Sequence, residues 1–349
     1  MSDTDEIVLD STRRLFEALY PPAEGNRRDD TAWPKAAWDK VAELGLPLAL
    51  VPEESGGFGL GPAAAQGILA LAGRYAVPLP LAESMIAARL LVGAGIETPE
   101  GPLTIAVAGA RLEARRGDGQ LSLSGRLPRV AWGADAAGIV LVADLADGAA
   151  LALLLPQEVT VRGGRNMAGE PRDEIDIEAT IPPERVRPSP IGAAELKAQG
   201  AAMRAMQLAG CLARVLEMSV AYANERVQFG RPIGKFQAIQ QNLAVMAGQV
   251  AASEGAAALG ASALLGEADP LVIAAAKVRA GEAAGIVASI AHQVHGAIGF
   301  ADEHTLHLQT RRLWSWRDEY GAETEWSRVI GERVATAGAD GFWPLVASL

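Results

Sequence analysis

The segment Arg226-Val227-Gln228-Phe229-Gly230-Arg231-Pro232-Ile233-Gly234-Lys235-Phe236-Gln237 closes one helical run and opens the next. Upstream of it, residues 201 to 226 form one long run rich in alanine and leucine. Downstream, Phe236, Ile239, Leu243, Met246 and Val250 recur at i, i+3, i+4 spacing, which predicts a helix with an apolar stripe. The glycines and Pro232 between them force a tight turn. That turn carries an arginine and two glutamines, a guanidinium suited to a phosphate and amides suited to a planar heterocycle. On spacing alone, an ordinary αα-hairpin with a solvated arginine is the simpler reading.

A second junction lies further along. Asp269-Pro270 starts a helix that runs through Ile273, Val278 and Ile286 to about His295, ending in Gln293-Val294-His295-Gly296-Ala297-Ile298-Gly299-Phe300. The small residues let backbone amides approach a ligand such as a pyrophosphate, although a glycine C-cap is the commoner use of such a sequence. A further helix is expected over about 302–317, and another after Gly321. Four long helices with short links describe a bundle.

The regions N-terminal to the bundle differ in character. Residues 1 to about 100 read as helices, broken by the loop Pro52-Glu53-Glu54-Ser55-Gly56-Gly57-Phe58-Gly59. Residues 102 to 188 hold short strand-like runs at 103–107, 121–124, 139–142, 151–155, 159–161 and 175–177, with turn residues at Gly117-Asp118-Gly119, Asp147-Gly148 and Gly163-Gly164. This order predicts an α+β chain in three parts. They are an N-terminal helical domain (1–101), a small middle β-sandwich or barrel (102–189) and a C-terminal four-helix bundle (190–349).

Composition narrows the function. Half of the 349 residues are hydrophobic, enough for a large core. The formal charge of −11 argues against nucleic-acid binding, which needs a basic footprint. No apolar run reaches eighteen residues, so no membrane span is expected. A single cysteine, Cys211, excludes a disulfide framework within the chain and a cysteine-based zinc site. The N-terminus is acidic and polar, unlike a signal peptide, and a cytoplasmic location is expected. The four histidines fall in two H-x-x-H pairs, His292/His295 and His304/His307, and are expected at the surface or an interface rather than on a metal.

Taken together in this order, the motifs resemble those of the acyl-CoA dehydrogenase family. That family carries an R-x-x-F-G turn with a following F-Q, then Q-x-x-G-x-x-G-F. The stretch from Trp38 to Gly59 resembles the family's W-x-x-(V/L)-A-E-L-G-L and P-E-E-x-G-G-x-G, and Leu123-Ser124-Gly125-Arg126 resembles its middle domain. The resemblance implies FAD as cofactor, an acyl-CoA substrate and an electron-transferring flavoprotein as electron acceptor. It also implies a dimer or tetramer with itself or with a homologous second subunit. Arg226, Gln228, Phe229, Phe236 and Gln237 would hold the FAD nucleotide, and Gln293, Gly296 and Ala297 would meet it from a neighbouring subunit. The reaction implied is α,β-dehydrogenation to a trans-2-enoyl-CoA, in which a carboxylate removes the α-proton and the flavin accepts the hydride.

The family's commonest position for that carboxylate lies about twenty residues beyond the G-F pair, in a Y-E-G-T run. Here the local sequence is Asp318-Glu319-Tyr320-Gly321-Ala322-Glu323, which makes Glu319 the candidate base and Glu323 a poorer one; a solvated loop carboxylate is the competing reading. The family's second position, 26 residues before Arg226, is Gly200 and holds no carboxylate. The T-E-P-x-x-G-S-D segment is missing, and the usual flavin-side tryptophan falls at Arg129; Trp132, three residues later, is expected by resemblance to line the flavin in its place. These departures resemble the short, divergent subunits of bacterial heteromeric acyl-CoA dehydrogenases, which act on steroid side chains or other bulky acyl-CoA esters. In that arrangement one chain completes the FAD site without supplying the base. Other oxidation chemistry on the same fold is a third possibility.

Overall fold

The computed structural model describes residues 3–21, 33–266 and 269–347. Four helices come first: α1 (Asp3–Leu19), α2 (Lys35–Glu43), α3 (Pro62–Arg74) and α4 (Leu81–Gly93). Eight strands follow: β1 (Leu103–Val107), β2 (Leu112–Gly117), β3 (Gln120–Ala131), β4 (Gly138–Leu145), β5 (Gly148–Leu154), β6 (Val159–Arg162), β7 (Arg172–Ile181) and β8 (Val186–Pro188). Then come α5 (Ala193–Glu225), the two-residue strands β9 (Val227–Gln228) and β10 (Arg231–Pro232), α6 (Gln237–Leu259), α7 (Pro270–His295), α8 (Leu306–Trp316) and α9 (Glu323–Ala347). None of these helices is long and apolar enough to cross a membrane. The elements gather in two compact units. One takes α1, α3 and the chain from 201 onward; the other takes α2, α4 and the chain from 78 to 200.

In the second unit two four-stranded sheets, ordered β1-β4-β5-β8 and β2-β3-β7-β6, bury their inner faces in one core. Leu121, Leu123 and Leu127 of β3 and Ile175, Ile177 and Ile181 of β7 meet Ile139, Leu141 and Leu154 from the other sheet there. The intervening Ser122 and Ser124 face outward, the period-2 alternation of a half-buried strand. The structure is therefore the sandwich alternative, two packed sheets. Two features lie beyond the sequence pattern: β1 runs parallel to β4, and β3 shifts register against β7 between Leu127 and Val130. α4 is stitched to β1 by Ser84, whose hydroxyl donates to Leu103 O at 2.7 Å and accepts from Leu103 N at 3.0 Å.

The helical unit is built on small residues. Leu208, Leu212 and Val215 of α5 pack with Met246 and Val250 of α6, with Ala280, Ala284, Val287 and Ala291 of α7, and with Leu313 and Trp316 of α8. Alanine at these positions permits short interaxial distances. Between α3 and α5 backbone meets backbone. A Cβ placed on Gly73 would lie 1.9 Å from the carbonyl oxygen of Gln207, and one on Gly210 would lie 1.8 Å from that of Ala70. Nothing but glycine fits at either point. Beside this crossing, Gln309 of α8 donates from Nε2 to Arg74 O at 2.9 Å and accepts from Cys211 Sγ at 2.8 Å.

His292 and His295 are buried within the chain rather than at its surface, and His304 and His307 are half-buried. Neither pair is a metal chelate; among the described residues no group of three or more His, Cys, Asp or Glu is arranged to hold a metal ion. His292 stacks on Phe300 at 4.2 Å and hydrogen-bonds Thr310 Oγ1 at 2.9 Å. His295 donates from Nδ1 to Ala291 O at 2.8 Å and stacks on Tyr222 at 4.6 Å, with His304 edge-on at 4.9 Å. Helical periodicity could not reveal this, because the bend after Gly296 brings the two pairs together. Desolvation, aided by neighbouring histidines, holds His292, His295 and His304 below the ordinary imidazole value.

Two outcomes are expected. Gly73→Ala should destabilise the chain by about 2 kcal/mol net, because the clash outweighs a helix-propensity gain of roughly 1 kcal/mol; urea unfolding measures this, and a stabilised variant would contradict the crossing. The depressed histidines make the unfolded chain bind more protons below its own imidazole value of about 6.5, so stability is fully present above that pH and is lost as pH falls through the lower folded values. His295→Gln should flatten that acid-side loss, by at most about 1.4 kcal/mol per pH unit, in melts recorded across the same range.

Candidate functional site

The turn after α5 is a hairpin in miniature. Gln228 pairs with Arg231 and Val227 with Pro232, leaving Phe229 and Gly230 as a two-residue loop with φ of 52° and 79°. Positive φ at both central residues is the geometry of a tight hairpin turn, natural for glycine and costly for phenylalanine. The strained conformation turns Phe229 outward: it is 93 % exposed and meets Phe236 edge-on at 6.2 Å. The Arg231 guanidinium lies 4.3 Å from the Phe236 ring centroid. Arg226 donates to the Gln228 amide oxygen, 2.8 Å from Nη2 and 3.3 Å from Nε. Gln237 is exposed at the first position of α6. Arg226, Gln228, Phe229, Phe236 and Gln237 thus converge on one outward surface that offers cations for phosphates and ring faces for stacking.

At the end of α7, Gln293, Gly296 and Ala297 are exposed, while Gly299 is buried under His295 and Leu306. Gly296 takes φ 63° and ψ −143° with nothing against the position a side chain would occupy. This is the backbone freedom a close ligand approach requires. The ends of the two helices meet: Tyr222, whose carbonyl accepts from Arg226 N, stacks on His295 at 4.6 Å.

Glu319 is placed differently from a solvated loop carboxylate. It lies in the turn between α8 and α9, where Tyr320 and Gly321 take φ of 56° and 104°. Its Oε2 accepts from Arg204 Nε at 2.6 Å, and the two side chains are only 13 % and 3 % exposed. The Arg204 guanidinium stands 5.7 Å from the ring centroids of both Trp316 and Tyr320 and also donates to Gln207. Such a pair is costly to desolvate and more costly to break, because removing one partner strands the other charge. The guanidinium favours the ionised carboxylate, the opposite of an apolar pocket that would enhance basicity. Sequence reading missed Arg204. The available signal was one arginine inside 201–210, a run in which every residue is buried.

Trp132 lies in the other unit, at φ 55° just past the register shift of β3. Its backbone N–H donates to Pro171 O at 3.2 Å, and its ring packs edge-on against Trp33 at 5.6 Å, which in turn tilts onto Trp38 at 5.9 Å. At 6 % exposure the ring is part of a tryptophan cluster within that unit. Arg129, where the resemblance anticipates an aromatic, is exposed with φ 54°.

Comparison with known proteins bears on what these surfaces serve. The acyl-CoA dehydrogenase C-terminal domain family matches residues 194–333, and the acyl-CoA dehydrogenase N-terminal domain family matches residues 2–98. Over 285 residues the chain is 30 % identical to acyl-CoA dehydrogenase IpdE2 of Mycobacterium tuberculosis, covering 81 % of each. Its fold is shared with a chain of the ChsE4–ChsE5 complex from Mycobacterium tuberculosis, at a TM-score of 0.86 and 23 % identity over 97 % of this chain and 99 % of that one. Butyryl-CoA dehydrogenase from Megasphaera elsdenii gives a TM-score of 0.84 at 19 % identity over 95 % and 98 % of the two chains. Both domain matches, the level of identity and the conserved order of helices, sandwich and bundle give the same answer: the chain belongs to the acyl-CoA dehydrogenase family.

Proposed function

We propose that this chain takes part in the α,β-dehydrogenation of an acyl-CoA thioester to a trans-2-enoyl-CoA in the cytoplasm, as one subunit of a heteromeric complex that passes electrons to an electron-transferring flavoprotein. The observation that carries the reading is the outward Arg226–Gln237 surface, with Phe229 almost wholly exposed against Phe236, whose ring carries the Arg231 guanidinium. An exposed ring held at positive φ has no use in a core; it suits a flat, phosphate-bearing ligand. These residues fit FAD, which when bound supplies the acceptor for the substrate's hydride. Arg226 would pair with a phosphate, Phe229 and Phe236 would flank the heterocycle, and Gln228 and Gln237 would hydrogen-bond it. Gln293, Gly296 and Ala297, exposed at the end of α7, would meet the cofactor of a neighbouring protomer. Trp132 would support the flavin side only through its packing on Trp33. ChsE4–ChsE5 is a complex, which supports assembly of this chain with a homologous partner.

In this reading Glu319 removes the α-proton while hydrogen-bond donors meet the charge developing on the thioester carbonyl. The Arg204–Glu319 pair favours a second reading, in which this chain completes the FAD site and a partner subunit supplies the base. Two variants test these readings. Arg226→Ala should weaken FAD binding by about 1.5–3 kcal/mol, seen as lost flavin absorbance after purification with the partner; unchanged flavin content would remove the turn from the cofactor site. Glu319→Gln should lower acyl-CoA-dependent flavin reduction by about 100-fold or more under the first reading. A complex that keeps its full rate with this substitution would assign the base to the partner.

A further inference from the structure

One buried charge is not used by either reading. Lys277 sits on the inner face of α7 among Ile273, Ala274, Ala276 and Ala280 and is fully buried. Its Nζ donates to the carbonyl oxygens of Arg317 at 2.5 Å and Gly321 at 2.7 Å. Those two carbonyls bracket Asp318-Glu319-Tyr320. Charged groups face it from every element around it: Glu323 from α9, Glu319 and Asp318 from the turn, and Arg204 from α5. Burial brings its pKa down from 10.5 to about 8, against the pull of the three acids and with a push from Arg204.

An ammonium in such a position is expensive relative to a methionine of similar length. What it gains is specific. The turn leaves helical geometry with Tyr320 and Gly321 at positive φ, and carbonyls freed at the end of α8 need donors. Lys277 supplies them from below, while Trp326 Nε1 donates to Tyr320 O at 3.0 Å and Arg317 Nε to Glu323 Oε1 at 2.8 Å. One turn along α7, Gly281 makes room for Glu323, whose Oε1 lies 2.2 Å from where a Cβ would stand.

We infer that Lys277 is a positioning residue: by tying the carbonyls of Arg317 and Gly321 to α7, it fixes the turn that presents Glu319 to Arg204. Its relevance to catalysis rests on the proposal that this turn belongs to the acyl-CoA site, but its test does not. Amide hydrogen exchange is measured on the full-length chain without substrate. In Lys277→Met, protection of the Asp318 and Glu319 amides, which bond Ser315 O and Trp316 O, should fall by about tenfold while the α5 core amides stay protected. In the native chain, protection of the same two amides should rise as pH climbs past about 8, because the opened turn still holds on Lys277 a proton that the closed turn has released, and the variant should lack that rise. A merely space-filling lysine would give no such pH profile. Should the variant not fold, the native pH series decides alone. Unchanged protection in a folded variant, or native protection that stays level between about pH 7 and about pH 9.5, overturns the inference. Failure of acyl-CoA oxidation would instead strike the functional reading and leave the exchange result standing.

Discussion

The helical unit depends on backbone meeting backbone where α3 crosses α5. Gly73 and Gly210 each lie under a carbonyl of the other helix, and no side chain can be inserted at either point. That contact sets the separation of the two helices, and the neighbouring side chains are arranged around it. Gln309 reaches Arg74 O from α8 and takes the Cys211 thiol, so a third helix is keyed to the same crossing. Immediately before it on α5 come Gln207 and Arg204, which join to hold Glu319. The candidate catalytic turn thus inherits its position from a steric constraint several residues away.

Around Glu319 the electrostatics follow the same logic of enforced proximity. Two buried cations, Lys277 and Arg204, face three acids, and each cation has a distinct task. Lys277 bonds only main-chain oxygens and shapes the turn; Arg204 bonds the carboxylate itself. The arrangement pairs Glu319 with a cation in a place where solvent contributes little. Whether this serves proton transfer or takes the carboxylate out of the chemistry is the functional choice the substitutions at Glu319 decide.

Much of the fold was legible in the sequence because periodicity and punctuation agreed. The Asp269-Pro270 start and Gly296 stop define α7, and the alternation of Leu121, Ser122, Leu123 and Ser124 defines a sandwich strand. The two exposed motif surfaces were legible as turns rich in Gly, Arg and Gln. Local patterns carry no information about partners far along the chain, and the remaining features depend on those. The parallel pairing of β1 with β4, the burial of His292 and His295, and the meeting of Arg204 with Glu319 across 115 residues all arise from tertiary packing. Lys277 was hidden for a related reason: a lone lysine in an alanine-rich helix looks like a solvated charge until the helix is seen to be surrounded.

The first compact unit draws its N-terminal helices and its main bundle from parts of the chain that are far apart. α3 ends at Arg74, and the stretch of α5 that receives Gly73 begins past residue 201. At a synthesis rate of about 5–20 residues per second, α1 and α3 leave the ribosome roughly 6–25 seconds before that surface exists. During this interval the face of α3 that meets α5 has no helix to cover it. The nascent chain therefore presents a sticky apolar pair of helices while the sandwich is still being made, a window in which a molecular chaperone has something to hold.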